Sequence, residues 1–290
     1  MFLKTRAARL LSLALIAGGF GGAFQNTSRA DSVNLGQSAN YAVLGFNSLQ
    51  DNFSLVTVNG NVGVGGTSSL HIFAPSAVNG NVLVGTGASF TNDKAGNTNV
   101  SGTVSTGQNL TGAVNDAISA YNTYTALAPT QIRSGISSPT IITGNGGTNV
   151  IDINGDISSA LTLNGNANDL FILNVTGNIN LGGSDGILGG AGINPNQIVI
   201  DLIGTDSVNT HVGNTITGTV IAPNSTGNLD GSFNGRLFFG GTSLTLLSGA
   251  IVNQPNTPPP APLPAPLWSA AALLAMLGLG SRLRIARSPV

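Results

Sequence analysis

A short pattern, apolar-x-Gly-x-apolar, recurs through the middle of this chain and constrains its fold more than any other feature. It stands at Val58-Asn-Gly-Asn-Val62, Val78-Asn-Gly-Asn-Val82, Val100-Ser-Gly-Thr-Val104, Ile153-Asn-Gly-Asp-Ile157, Val175-Thr-Gly-Asn-Ile179, Ile216-Thr-Gly-Thr-Val220 and Phe233-Asn-Gly-Arg-Leu237. Several neighbours lie 17 to 22 residues apart, the length of one coil in a solenoid that stacks short strands into long sheets. Alternation along a strand places Val58 and Val62 on the face that carries Gly60 and turns Asn59 and Asn61 the other way. Glycine at the inward position lets the backbone bend or approach a neighbour, and the Gly- and Asn-rich joins accept positive φ. The pattern therefore predicts an all-β chain, a right-handed parallel β-solenoid. Short strands with glycine-rich turns would also suit a β-sandwich or jelly roll.

One segment departs from the pattern. Val114, Ile118, Tyr121 and Thr125 recur at helical spacing with Ala117 beside them, which predicts one flanking α-helix over about 111–128. Thr111 is placed to cap its start and Pro129 to mark its end. The apolar stripe would lie against the side of the solenoid, with Tyr121 and Tyr124 as packing residues. Strand-like runs resume at Ile141 and continue through Leu170 to Val175 and Gln197 to Ile203.

A hydrophobic content of 41% lets this chain build a core, whereas a disordered chain could not. The absence of Cys means that packing and backbone hydrogen bonds, not disulfides, must hold it. Of ten basic residues only Lys94, Arg133 and Arg236 lie between the two ends, against eleven Asp and no Glu, a net of −8. No basic patch exists to replace phosphate counterions, so nucleic acid is excluded as a partner.

Both ends read as processing segments. Lys4, Arg6 and Arg9, the apolar run Leu10 to Phe20 and Ser28-Arg29-Ala30 follow the order of a signal peptide over 1–30, cleaved on export. The folded domain is then expected over 31–255, followed by a Pro-rich linker over 256–266 that favours extended geometry. Residues 267–290 form a hydrophobic helix with an Arg-rich end, short for a bilayer span unless counted from Leu263. Arg282, Arg284 and Arg287 should stay cytoplasmic, with Trp268 at the outer interface. Pro262-Leu263-Pro264-Ala265 and Trp268, with the apolar run and Arg282 and Arg284 after them, resemble the PEP-CTERM sorting signal, although Ala261 replaces the usual Val and the eponymous Glu is absent. That resemblance implies recognition by a membrane-bound sorting protease, in organisms that commonly make exopolysaccharide. A plain C-terminal membrane anchor is the other reading, and in both the body faces outward, at the cell surface or released.

The body carries two further resemblances. Val33-Asn-Leu-Gly36, Asn40-Tyr-Ala-Val-Leu44, the helix before Pro129, Leu161-Thr-Leu-Asn-Gly165, Phe171-Ile-Leu and Leu244-Thr-Leu are similar to the ice-binding-like bacterial domain, which implies a β-solenoid with a helix alongside. Val62-Gly-Val-Gly-Gly66, Gly218-Thr-Val-Ile-Ala-Pro-Asn224 and Asn234-Gly-Arg-Leu237 resemble the choice-of-anchor A domain, which often precedes PEP-CTERM tails.

Catalytic chemistry finds little support. His71 and His211 are the only histidines, and without Cys or Glu no zinc or hydrolase constellation forms. No catalytic residue and no cofactor is expected. Asp152, Asn154 and Asp156 place oxygens at alternate positions like the start of an EF-hand loop, but Ile157 takes the Gly position and Leu163 the Glu position. They are a calcium candidate or, alternatively, ordinary solvated turn residues. Asn59, Asn61, Asn79, Asn81, Thr215, Thr217 and Thr219 form a candidate binding face, with Thr103, Thr176 and Asn178, on which small hydrogen-bonding side chains could stack. Such a face would meet ordered water in ice or polysaccharide hydroxyls, or would simply face solvent. The resulting expectation is a non-enzymatic exported surface or matrix protein with a structural or adhesive role. The alternatives are ice binding through a flat Thr/Asn face and a polysaccharide-acting enzyme using Asp carboxylates.

Overall fold

The computed structural model describes residues 33–46, 50–247 and 249–256. The expected leader over 1–30, the linker beyond Asn256 and the sorting helix with its motif lie outside the described residues. The chain divides after Gln254 into two units, and the first carries all the described secondary structure.

It is an all-β parallel solenoid with a single α-helix, as the repeat predicts. Three strands make most coils, and every strand pairing between coils is parallel. The helix face runs across the stack through Gln131–Arg133, Thr148–Ile153, Leu170–Val175, Ile198–Leu202, Thr215–Ala222, Ser232–Phe239, Val43–Gly45, Val62–Val64, Val82–Gly85 and Val104–Gln108. A seven-stranded face holds Ile179–Asn180, Ser207–Asn209, Thr226–Leu229, Ser243–Leu246, Gln50–Phe53, Ser69–Ile72 and Ser89–Asn92. A third, the ladder face, holds Thr140–Thr143, Leu161–Asn164, Gly186–Gly189, the first halves of Thr215–Ala222 and Ser232–Phe239, then Ile251–Asn253, Thr57–Asn59 and Ala77–Asn79.

The spatial order is not the chain order. The early coils run from Val43 to Gln108, and a helix, α1 (Thr111–Thr125), carries the chain back along the stack. The later coils then build from Gln131 until Val43–Gly45 pairs with Ser232–Phe239, Val43 opposite Leu237. The first and last coils therefore meet in the middle of the stack.

The apolar residues of the repeat fill the interior: Val58, Val62, Val78, Val82, Ile153, Ile157, Val175, Ile179 and Val220 are fully buried. Each such side chain contributes roughly 1.5–3 kcal/mol by leaving water, which is how a chain without disulfides holds together. The glycine between them marks a corner rather than a point along one straight strand. At Gly60 (φ +144) and Gly218 (φ +122) the chain turns from the ladder face to the helix face. Only glycine adopts such a backbone without strain. The same motif at Ile153-Asn-Gly-Asp-Ile157 instead turns from the helix face toward the seven-stranded face, where Ile157 bridges Ile179.

Helix α1 buries Ala113, Val114, Ala117, Ala120 and Tyr124, with Ile118 and Tyr121 partly buried beside them. They pack on Val150, Leu170, Ile172, Val199, Ile221 and Phe238 of the helix face, a second apolar core outside the solenoid. Thr111 does not cap the helix as expected. The cap position falls one residue earlier, on Leu110, and the Asn109 side chain accepts the Thr111 N–H at 3.1 Å. Thr125 turns its hydroxyl back to the Tyr121 carbonyl at 2.8 Å. Beyond this core, Arg236 is 1% exposed; its Nε donates to the Ala39 carbonyl at 3.1 Å and its Nη1 to Asn196 Oδ1 at 2.8 Å. It thereby pins two short 3-10 turns, Gly36–Asn40 and Pro195–Gln197, onto the sheet. Burial lowers its guanidinium to about 10.

Candidate functional site

The corner glycines decide where the expected polar residues go. Asn59 and Asn61 do not share a face, because Gly60 turns between them. Asn59 and Asn79 point outward on the ladder face, in one rank with Asn253 and Asn234. Their amides bond to one another: Asn79 donates to Asn59 at 2.7 Å, Asn59 to Asn253 at 2.8 Å and Asn253 to Asn234 at 3.0 Å. Asn61 and Asn81 sit at the corner, where Asn61 Oδ1 accepts the Asn81 N–H at 2.9 Å and Asn81 Oδ1 accepts the Thr103 N–H at 2.9 Å.

Thr215 and Thr217 lie on the ladder face, in register with Ser232 and Asn234. Thr219 does not join them. It follows the Gly218 corner, faces the helix side and is 0% exposed, so it cannot meet an external surface. The ladder face also carries aliphatic side chains in the open, Ile141 at 64%, Ile251 at 41% and Leu188 at 37% exposure.

The calcium candidate does not converge. Asp152 Oδ1 accepts from Asn174 Nδ2 at 3.0 Å, Asp156 Oδ1 accepts the Asn178 N–H at 2.8 Å, and Asn154 is exposed at the corner between them. Among the described residues no three His, Cys, Asp or Glu side chains gather as metal ligands. His71 lies on the seven-stranded face, bonded to Asp93 at 2.8 Å and stacked on Phe73. Asp201 and Asp51 are buried carboxyls with no hydrogen-bond partner among the described residues, and burial pushes both well above the usual carboxylate range.

Sequence reasoning misses the seven-stranded face. Its outward side chains form two ranks held by strict register, Ser207, Thr226, Ser243, Gln50, Ser69 and Ser89 in one, and Asn180, Asn209, Asn228, Thr245, Asn52, His71 and Thr91 in the other. Leu70, Ile72, Val208, Leu229, Leu244 and Leu246 point inward from the same strands and are buried. Within the ranks Asn209 donates to Ser207 Oγ at 2.9 Å and Asn228 to Asn209 at 3.4 Å, while Ser207 Oγ donates outside them to Asn178 at 2.9 Å. Among the described residues, Thr226, Ser243, Gln50, Ser69, Ser89, Thr245, Asn52 and Thr91 make no side-chain hydrogen bond to protein, so their polar atoms are left to water.

The spacing of these groups is fixed by the ladder. Neighbouring strands lie about 4.7–4.9 Å apart. In tetrahedrally bonded water, O···O contacts of about 2.75 Å place second neighbours roughly 4.5 Å apart. Hydroxyls and amides one strand apart can therefore hold waters at nearly the repeat of an ice lattice without moving the backbone.

A family model described as ice-binding-like matches residues 47–252. It is one of the two body families that the sequence resembles. A glycosylated ice-binding protein from an Arctic yeast superposes with a TM-score of 0.59 at 20% identity, covering 81% of this chain and 99% of that one. An ice-binding protein from the Antarctic ascomycete Antarctomyces psychrotrophicus gives 0.54 at 19% identity over 78% of this chain and 100% of that one. An ice-binding protein from an Antarctic bacterium of the Flavobacteriaceae gives 0.58 at 17% identity, over 79% of this chain and 49% of that one. No curated protein matches the chain. The ice-binding-like family match, with neighbours that are named ice-binding proteins, overturns the structural or adhesive role expected from the sequence.

Proposed function

The chain belongs to the ice-binding-like family, and from that membership we propose that it binds ice through the outward ranks of the seven-stranded face. One observation carries the choice of face: its central polar side chains stand in register with no protein partner among the described residues. A rigid sheet has already lost the entropy that ordering such groups would otherwise cost, so adsorbed water is organised with little further penalty. Short hydroxyls and amides keep the surface flat. The leader expected over 1–30 suits a protein that meets ice outside the cell.

A second reading places contact on the ladder face, through Asn59, Asn79, Thr215 and Thr217. The exposed Ile141, Leu188 and Ile251 favour it, since methyl groups beside hydroxyls also order water. The amide ladder weighs against it, because its donors already have acceptors.

Ice recrystallisation inhibition by the purified full chain tests both. Thr245→Lys with Thr226→Lys should reduce activity at least tenfold while leaving the thermal midpoint unchanged, and Thr215→Lys with Thr217→Lys should change it little. The reverse pattern would move the site to the ladder face, and an inactive, folded parent would overturn ice binding.

A further inference from the structure

Three consecutive strands of the helix face bring Asp152, Asn174 and Asp201 into one rank: Asp152 pairs with Asn174 and Asn174 with Asp201. The Asn174 amide donates to Asp152 Oδ1 at 3.0 Å. An amide carries its nitrogen and oxygen on opposite sides, so this bond aims Asn174 Oδ1 away from Asp152, toward the strand of Asp201. That oxygen is buried and has no partner among the described residues, and neither has either carboxylate oxygen of Asp201, which is 0% exposed.

Three buried oxygens thus fall opposite each other on neighbouring strands with no donor supplied by any other described residue. Protein cations do not supply one: Arg236 is engaged with Ala39 and Asn196, and Arg133 with Gln131 at 3.3 Å. The remaining basic residue of the body, Lys94, belongs to the far end of the stack, beside Ser89–Asn92. Tyr121 of α1 lies over this part of the sheet, and its hydroxyl is pushed up by burial and then by the Asp201 charge. Asp51, the other orphaned carboxyl, differs: its neighbours in register are Leu244 and Leu70, which offer no side-chain oxygen.

We propose that Asp201 and Asn174 Oδ1, oriented by Asp152 and adjoined by Tyr121, bind a hard divalent cation of the calcium class. Such cations take only oxygen ligands and fill their remaining positions with water or carbonyls. Two positive charges offset the two carboxylates of the rank, which a proton on Asp201 would do only in part. The half-buried Asp152 marks the solvent side by which the ion enters. This rank shares only Asp152 with the EF-hand-like sequence, and it depends on pairing between coils rather than on spacing along one loop.

Terbium(III), an oxygen-seeking probe of calcium's size, tests the site in the full chain, with luminescence excited through tyrosine. Emission should appear on addition, fall on competition with calcium, and drop more than tenfold in Asp201→Asn, but persist in Asp51→Asn. Tyr121→Phe should dim emission while keeping the thermal response to calcium. At a hundredfold excess over Kd, calcium should raise the thermal midpoint by about 5–10 °C relative to chelator. If Asp201→Asn does not fold, Asp152→Asn should weaken calcium binding at least threefold. No emission with equal midpoints in calcium and chelator would overturn the proposal, as would emission unchanged in both Asp201→Asn and Asp152→Asn. Neither readout depends on ice activity.

Discussion

The ladder face and the seven-stranded face are built from the same alternation, yet they use their polar side chains in opposite ways. On the ladder face Asn234, Asn253, Asn59 and Asn79 are linked amide to amide down the stack, and the bonds belong to the protein. Serines and threonines dominate the centre of the seven-stranded face. They are too short to bridge about 4.8 Å between strands, so their bonds are left to solvent. Asn52 is as long as Asn59 but stands between Thr245 and His71 and stays unbonded too, so an amide beside an amide in register, more than polarity, separates a rank bonded within the protein from one left to water.

The largest expected effect that separates the faces is functional. Thr245→Lys should abolish most ice recrystallisation inhibition at constant thermal midpoint, whereas Asn253→Lys should lower the midpoint and leave inhibition nearly intact. A fall of both readouts in both variants would mean that the faces are not independent.

Beneath the seven-stranded face, Asp51 makes stability depend on pH. Its folded-state pKa is raised by burial, so the stability it contributes is full below the unfolded carboxylate value of about 3.9 and is lost as pH rises through the folded one. Asp51→Leu should therefore gain on the parent as pH rises from about 4 toward 8, by up to about 1.4 kcal/mol per unit until the folded pKa is reached. Denaturant titrations at several pH values would show the widening gap; a constant gap would mean that the carboxyl is not protonated.

Beside the ladder face, Asp169 should behave with the opposite sign. Burial raises its pKa, but N–H groups of Asn166 and Gly146 and the Asn149 amide outweigh it, and the carboxyl titrates below its ordinary range. Its contribution is present above the unfolded value and is lost as pH falls through the folded one. Asp169→Ala should cost about 1–3 kcal/mol at neutral pH, since buried donors lose their acceptor, and progressively less in acid. A cost that stays level into acid would show that those donors do not hold the carboxylate.

The smallest contrast compares two asparagines. Asn59→Ala removes two ladder bonds and should cost about 1–2 kcal/mol, while Asn52→Ala, which breaks none, should stay within about 0.5 kcal/mol. Equal costs in denaturant titrations would erase the distinction between the faces.

The solenoid and its core are legible in the sequence, because Val58, Val62, Val78 and Val82 repeat at coil length and burial follows apolarity. What spacing alone does not reveal is backbone direction. Whether Gly60 continues a strand or turns a corner depends on the coil below it, so Asn59 and Asn61 read as one face and Thr219 as exposed. The candidate surface is hidden for a related reason. Its strands, such as Ser69-Leu-His-Ile72, Ser89-Phe-Thr-Asn92 and Ser243-Leu-Thr-Leu246, lack the glycine motif. They do share a readable signal: a small polar residue, an inward residue, then another polar residue, at coil spacing. The meeting of first and last coils has no local signature, since Val43 and Leu237 find each other only once everything between them has stacked.

That meeting point bears on how the molecule comes to exist. A simple solenoid grows coil upon coil, each closing only a short loop. Here the pairing of Val43 with Leu237 closes a loop of nearly the whole domain, with an entropic cost that only contacts arriving late in synthesis offset. The early coils must wait, with one edge unpaired, for the chain to return. Both extremities of the stack, Val104–Gln108 and Gln131–Arg133, are joined through α1 instead of ending in loose tails, so unravelling from either extremity has no free strand end to begin from.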